Sequence, residues 1–321
     1  MSVWENGIAK LSLPTPFPVG DVNIYLVKNE ALTLIDVGPN TKEAWFSLEN
    51  QLKSLNLQLE DIDQVVLTHH HPDHSGLLAK LPATTKVYGH PNNERWIFRT
   101  KSFLQQFNDF HQQIFTELGV PVNFAPRVNF LKDSFIYSCQ RSLTGTVKEG
   151  ESPKGLSEWK VIETPGHAQS QICLFREKDG ILISGDHLFA HVSSNPLIEP
   201  PFPGKKERPR SQLDYNKSLK KLLDYSIRKV YSGHGPEVFE VPDLVKERLS
   251  REHNRAMKVH SWLEKEAMTA FEICQRLFPN AYESEFHLAI SKTVAQLDYL
   301  ESLRKLHINE DQIPFLYSAV K

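Results

Sequence analysis

The chain has 321 residues, of which 40% are hydrophobic and 24% charged, and its formal net charge is −2. This composition excludes a disordered chain, and the length favours one large domain with a small second one. No apolar run approaches the roughly 18 residues of a membrane span, and the first residues lack the basic head and apolar core of a secretion signal. We therefore expect neither export nor a membrane partner.

The three cysteines, Cys139, Cys173 and Cys274, are an odd number without close spacing. This pattern argues against a disulfide framework and against a cysteine-based zinc site. We therefore expect a cytoplasmic protein in a reducing compartment.

Short apolar runs interleaved with helical patterns predict an α/β layered domain. Residues 23–28 and 31–36 flank Asn29-Glu30 and predict a β-hairpin. Residues 41–55 carry apolar side chains at spacings of three and four, which predicts an amphipathic helix. Six further short strands are predicted at residues 64–68, 86–89, 160–163, 171–176, 180–184 and 229–232.

Residues 92–143 differ from this strand-rich pattern. Phe103, Phe107 and Phe110 recur there at helical spacing, which predicts a helical insertion in a large domain of residues 1–245. An apolar stripe of this kind is typical of small-molecule pockets, so we expect the insertion to cover the functional site and to select the substrate. Simple packing in the core is the alternative interpretation.

Residues 246–321 form the predicted second domain. Three helical patterns precede two short strands around a polar turn, which predicts a winged-helix module. Thr269 and Glu272 have the spacing of a capping box at the start of one of these helices.

The segment 68–76 reads THHHPDHSG and directly follows a predicted strand. It brings His69, His71, Asp73 and His74 into one short loop. Imidazole nitrogens and carboxylate oxygens are ligands of zinc and similar divalent metals, and a loop at a strand end can direct several of them to one point.

Three further candidates follow other predicted strands. They are His167 in TPGH, Asp186 in SGD and His234 in SGHG. Glycine beside each lets the backbone turn tightly, and strand ends that face one way are where α/β folds place their sites. A single histidine after a strand is as often structural as functional, but the coincidence of all these segments predicts a metal site.

Together these residues resemble the complete motif set of the metallo-β-lactamase-fold hydrolases, whose Thr-His-x-His-x-Asp-His pattern matches residues 68–74. The resemblance implies an α/β fold, an αββα sandwich, and two divalent metal ions per chain, usually zinc. It implies that the first ion is held by His69, His71 and His167, the second by Asp73, His74 and His234, and that Asp186 bridges both.

Two other residues near this motif have less certain roles. His70 occupies the variable position of the motif, so we expect it to be structural. Asp36 follows the second predicted strand and either orients a ligand histidine or simply ends its strand in a turn.

The implied chemistry is hydrolysis by a hydroxide that bridges two metal ions. Asp73 is the residue we expect to orient the attacking water and to pass its proton to the leaving group. A small ester, thioester or lactone is the expected substrate, as in the hydroxyacylglutathione hydrolases that share the motif.

The alternative substrate is single-stranded RNA. The C-terminal part resembles the winged-helix appendage of a subgroup that includes a mitochondrial endoribonuclease. Residues 205–229 carry nine basic and three acidic side chains, whereas residues 251–321 carry nine and ten. The first of these segments could therefore reach an anionic substrate such as RNA, and its alternative interpretation is a solvated helix face. The winged-helix module is then expected to serve packing or homodimer formation.

Overall fold

The computed structural model describes residues 3–124 and 133–320. Its described residues form two compact units. The first unit comprises Met1–Thr100, Ser134–Ser194 and Lys220–Val241, and the second comprises Lys101–Asp133, Asn195–Leu219 and Pro242–Lys321.

The strands, in chain order, are β1 (Trp4–Glu5), β2 (Ile8–Leu13), β3 (Val22–Lys28), β4 (Leu32–Ile35), β5 (Gln64–Leu67), β6 (Lys86–Gly89), β7 (Gly145–Thr146), β8 (Trp159–Glu163), β9 (Ile172–Arg176), β10 (Ile181–Gly185), β11 (Lys229–Ser232), β12 (Leu306–Asn309) and β13 (Leu316–Ala319). The α-helices are α1 (Lys42–Ser54), α2 (Pro72–Ser75), α3 (Glu94–Phe98), α4 (Lys101–Glu117), α5 (Ser211–Lys221), α6 (Val241–Leu263), α7 (Ala270–Leu277) and α8 (Phe286–Ser302).

The first unit contains two β-sheets. Strands β1 to β7 follow one another in a seven-stranded sheet, and the second sheet has the order β11-β10-β9-β8. Ile35 and Val66 of the first sheet share a buried core with Val161, Leu174 and Ile183 of the second. Because side chains alternate along a strand, the opposite face of the first sheet buries its other residues against α1. The sheets are therefore layered, as an α/β domain requires.

Most of the predicted elements of this unit are confirmed. The predicted hairpin is the antiparallel pair β3–β4, and the six later strands agree with the predicted ranges to within one residue at each end. Helix α1 begins after Thr41, whose hydroxyl accepts a hydrogen bond from Ala44 N. The sequence analysis missed β2, which pairs with β3. In this strand, Lys10 lies between the buried residues Ala9 and Leu11.

The second unit has a core rich in aromatic rings. Phe124 packs against Phe271 and Phe286 at centroid distances of 4.9 Å and 5.2 Å. Strands β12 and β13 form an antiparallel hairpin, and Met268 forms an isolated bridge with Tyr317 of β13. The predicted capping box is present, because Glu272 N donates to the Thr269 hydroxyl while the Glu272 carboxylate accepts from Thr269 N.

The predicted helical insertion is divided between the units. It contains α3 and α4, while its residues 125–132 lie outside the described residues. Helix α4 belongs to the second unit because Phe115 packs against Phe286 of α8. The domain boundary after residue 245 and the covering of the site by the insertion stay predictions. No helix in the described part of the chain is long and apolar enough to cross a membrane.

Candidate metal centre

The loop after β5 positions four of the seven predicted ligands. His69 and His71 precede α2, and Pro72 occupies the first position of this single helical turn, where its missing N–H has no cost. The turn then places Asp73 and His74 next to each other. Because the chain bends from strand into helix within this segment, all four side chains are directed toward one region.

The other three predicted ligands follow strands of the four-stranded sheet. His167 comes after β8, Asp186 directly after β10 and His234 after β11. Gly185 has a φ of +48°, and a Cβ atom there would lie 2.5 Å from the Thr68 hydroxyl oxygen. The site is therefore assembled from the ends of strands in both sheets of the first unit.

The structure brings all seven residues together in two groups. Within each group, the candidate ligand atoms lie within 4.8 Å of one another. One group is His69, His71 and His167, and the other is Asp73, His74, Asp186 and His234. These are the sets that the sequence resemblance implied, with Asp186 counted in the second. Every member is buried except His71, which is half-buried.

Asp186 reaches both groups. Its Oδ1 atom lies 3.1 Å from His74 Nε2, and its Oδ2 atom lies 3.5 Å from Nε2 of both His167 and His234. Asp73 Oδ2 lies 3.3 Å from His234 Nε2, and His167 Nε2 lies 2.9 Å from His71 Nδ1. The Asp186 carboxylate therefore lies between the two groups, since its Oδ2 atom is equally far from a histidine of each.

The donor set fits divalent cations. His69 Nε2 is buried without a hydrogen-bond partner among the described residues. An unpaired buried imidazole nitrogen is unfavourable unless a ligand satisfies it. Imidazole nitrogens with carboxylate oxygens suit zinc and related metals. The residues present therefore match a divalent metal site.

The other nitrogens of three of these rings bind to neighbouring groups. His74 Nδ1 lies 2.8 Å from Asp36 Oδ2, His69 Nδ1 lies 3.0 Å from the Thr68 hydroxyl, and His234 Nδ1 lies 2.8 Å from the Asp21 carbonyl. When Nδ1 donates to such a group, Nε2 keeps its lone pair for a metal. The supporting contacts thus leave the Nε2 atom of each of these three rings as the nitrogen that points into the cluster.

Asp36 takes the first of the two roles considered from the sequence. Besides its contact with His74, it accepts hydrogen bonds from Thr68 N and from the Thr68 hydroxyl, each at 2.7 Å. Its φ of 59° lies in the left-handed region. One carboxylate therefore supports His74 directly and His69 through Thr68.

The cluster also shifts the pKa values of its members. Burial disfavours the charged form and lowers the pKa of His69 and His71 well below their ordinary value. Burial opposes protonation of His234 as well, but Asp186 and Asp73 outweigh it and raise the pKa of His234 to about 10. A histidine that is protonated in this way would have to lose its proton before it could bind a metal ion.

The structural role of His70 stays a prediction, since His70 also belongs to a third group of candidate ligands with His71 and Glu199. Its ring stacks on Trp96 at a centroid distance of 4.1 Å, and its Nδ1 atom lies 2.7 Å from the Ser170 hydroxyl. The sequence analysis did not identify Thr68 or Asp21 as supports of the site. Thr68 belongs to the matched motif, whereas the Asp21 contact is made by a backbone carbonyl and leaves no residue-type signal.

Comparisons with known proteins agree with this geometry. The family model described as the Metallo-beta-lactamase superfamily matches residues 17–234. A Bacillus subtilis protein, named Probable metallo-hydrolase YqjP, is 44% identical over 295 residues, which cover 92% of each chain. A Claviceps purpurea protein, named Atrochrysone carboxyl ACP thioesterase, is 22% identical over 247 residues, which cover 77% of this chain and 61% of that protein.

Two solved structures share the fold over almost the whole chain. A metallo-beta-lactamase family protein from Thermus thermophilus superposes with a TM-score of 0.83 at 26% identity, covering 98% of this chain and 99% of that one. A beta-lactamase domain protein from Burkholderia ambifaria has a TM-score of 0.79 at 19% identity, covering 99% and 93%. The predicted family is thereby confirmed: the chain belongs to the metallo-β-lactamase superfamily and is a hydrolase.

Proposed function

We propose that this chain is a binuclear metal-dependent hydrolase of small esters, thioesters or lactones. Two divalent ions, with zinc the expected metal, would be held by the two groups of His and Asp side chains. The observation that carries this proposal is the position of Asp186, whose two carboxylate oxygens face histidines of both groups at 3.1 to 3.5 Å.

The residues around the site have separable roles in this reaction. Bound divalent ions lower the pKa of water and polarise the substrate oxygen. Asp73 would orient the attacking water and move its proton to the leaving group. Burial opposes ionisation of Asp73, but His74 and His234 outweigh it and lower its pKa. Asp73 is therefore a carboxylate at neutral pH, which is the form that can accept a hydrogen bond from water.

A carbonyl substrate is favoured over RNA by the contacts of the basic segment 205–210. Arg208 forms a two-pronged ion pair with Asp298, at 2.6 and 2.7 Å, and Arg210 contacts Glu301 at 2.5 Å. Arg208 is half-buried in its ion pair and Arg210 stays exposed beside Glu301, so Lys205 and Lys206 are the cations of this segment that form no ion pair among the described residues. The thioesterase named among the relatives also supports the carbonyl class.

The C-terminal module is proposed to be a winged-helix module that serves packing or homodimer formation. The order of α6, α7 and α8 followed by the β12–β13 hairpin supports this assignment. The bridge between Met268 and Tyr317 adds a third extended segment to the hairpin.

The test is a substrate panel on metal-loaded protein that contains a thioester, a lactone, a simple phosphodiester and single-stranded RNA. We expect turnover of the thioester or lactone, and we expect Asp73→Asn to abolish it. His307→Ala is the matched control, because this exposed histidine lies in the hairpin of the second unit. Turnover confined to RNA would refute the carbonyl assignment, and undiminished turnover by Asp73→Asn would refute the role of Asp73.

A further inference from the structure

Asn23, in β3 of the seven-stranded sheet, is bonded to the loop that carries His234. Its backbone N–H donates to the Gly233 carbonyl at 2.6 Å. Its side-chain Nδ2 donates to the carbonyls of Ser232 and Gly235 at 3.1 Å and 2.9 Å. The side chain is buried, with 4% of the residue exposed, so water has little access to replace these bonds.

The orientation of the His234 ring depends on where this loop lies. His234 Nδ1 lies 2.8 Å from the carbonyl of Asp21, two residues before Asn23. Val22 and His234 also form an isolated antiparallel bridge. A shift of the loop along β3 would therefore break the Asp21 contact and turn His234 Nε2 away from Asp73 and Asp186.

We propose that Asn23 is a positioning residue, whose side-chain amide fixes the 232–235 loop on β3 so that His234 faces Asp73 and Asp186. The inference rests on the proposed function for its metal-binding consequence. The two amide hydrogens bind to the carbonyls on either side of Gly233-His234, so a single side chain sets the loop at both ends.

Neighbouring side chains hold the same loop at one carbonyl each. The Tyr25 hydroxyl donates to the Ser232 carbonyl at 2.6 Å, and Nζ of the half-buried Lys10 donates to the Gly235 carbonyl at 3.1 Å. Removal of either donor leaves the Asn23 amide in place. We therefore expect smaller effects from these sites, which makes them suitable for comparison.

The test compares Asn23→Asp and Asn23→Ala with Tyr25→Phe and Lys10→Met. Asn23→Asp keeps the shape but cannot donate and places a carboxylate oxygen against two carbonyl oxygens. All four variants keep the backbone bond to Gly233. Zinc affinity and stoichiometry are measured by competition with a chromophoric chelator. We expect Asn23→Asp and Asn23→Ala to weaken one of two sites by about 10- to 100-fold, the usual range for a group that supports a ligand, and to leave the other unchanged.

A second measurement follows the Nδ1–H proton of His234 by NMR in metal-free protein. This proton is expected to exchange slowly in the native chain and in Tyr25→Phe, and rapidly in Asn23→Ala. Asn23→Ser replaces the alanine variant in this measurement if the alanine variant does not fold. Its hydroxyl can donate to one of the two carbonyls, so its exchange rate should be intermediate.

The outcomes separate this inference from the proposed function. Unchanged affinity at both sites in Asn23→Asp, or equal weakening of both, would overturn the positioning role while the metal site stands. If the native chain binds neither zinc nor another divalent ion, the proposed function fails. The exchange rate of the His234 proton then decides the positioning role, and equal rates in the native chain and Asn23→Ala would overturn it.

Discussion

Each of the two compact units buries a cluster of ionisable side chains, and the two clusters are built from different chemistry. In the first unit, histidines and aspartates converge, and His69 Nε2 has no hydrogen-bond partner among the described residues. In the second unit, Glu252 lies 3.0 Å from Lys292 Nζ, 2.7 Å from Arg255 and 3.0 Å from the Gln296 amide.

The difference lies in where the compensating charge comes from. Glu252 is neutralised by cations of its own chain, and despite its burial Lys292 and Arg255 lower its pKa. Among the described residues, the ion pairs of Asp73 and Asp186 are made with histidines and not with Lys or Arg, and these ring nitrogens compete for the same carboxylate oxygens. Buried polar groups are tolerated when they are paired. Under the proposed function, bound divalent ions would complete the first cluster, whereas the second is complete by itself.

The largest effect is expected from Asp186→Ala, because this change removes the carboxylate that faces both ligand groups. Metal content should fall well below one ion per chain, and activity should fall by more than the roughly 10- to 100-fold typical of a supporting residue. Elemental analysis after removal of free metal provides the measurement. His70→Ala is the control and should keep its metal, since His70 contacts Trp96 and Ser170. Equal losses from the two variants would contradict the assignment.

The second largest effect is expected at the cluster around Glu252 in the second unit. Glu252→Leu leaves Lys292 buried without its carboxylate and should lower the free energy of unfolding by about 3–5 kcal/mol. The double variant Glu252→Leu with Lys292→Met replaces both charges with apolar groups and should recover most of that loss. Urea unfolding measures both. If the double variant is no more stable than the single one, the ion pair is not the source of the effect.

The fold of the first unit was largely predictable because its strands are short, apolar and separated by turn residues. Strand β5 and the loop after it were recognisable from residue types alone. The same holds for the three glycine-flanked candidate ligands, His167, Asp186 and His234. Strand β2 was not, because its six residues include Lys10 and Ser12 and gain their stability by pairing with β3. Pairing of this kind depends on residues that are distant in the sequence.

Which segments of the chain form the second unit could not be predicted from the sequence, for a similar reason. Periodicity predicted the phenylalanine stripe of α4, but not that Phe115 packs on Phe286, 171 positions later. The charge count of the 205–229 segment was equally incomplete. It could not show that Arg208 is paired with Asp298, since a net charge describes composition and not contacts.

The third effect is a pH dependence of the second unit. His111 Nδ1 lies 2.8 Å from the Phe107 carbonyl, its ring packs on Phe107, and burial lowers its pKa from 6.5 to about 4. Between these values the unfolded chain binds a proton that the folded chain does not. The contribution of His111 to the free energy of unfolding is therefore fully present above pH 6.5. It falls by about 3 kcal/mol as the pH falls from 6.5 through 4.

His111→Gln should remove this part of the acid sensitivity. The difference in urea midpoint between pH 7 and pH 4 would then be smaller in the variant than in the native chain. Some sensitivity should remain, because burial also lowers the pKa of His287 to about 4. An unchanged difference would show that His111 is already protonated in the folded chain or does not titrate in this range.

The smallest effects come from the helix caps, which are a matched pair across the two units. The Thr41 hydroxyl accepts from Ala44 N at 3.1 Å, and the Thr269 hydroxyl accepts from Glu272 N at 3.2 Å. Each change to alanine should cost about 1 kcal/mol. Thr269→Ala should cost slightly more, because the Glu272 carboxylate also loses a hydrogen bond from that hydroxyl, at 3.0 Å. Urea midpoints at pH 7 give the ranking, and neither change should alter metal content. A larger loss from Thr41→Ala would mean that the bond from the Thr269 hydroxyl to the Glu272 carboxylate adds nothing to the stability of α7.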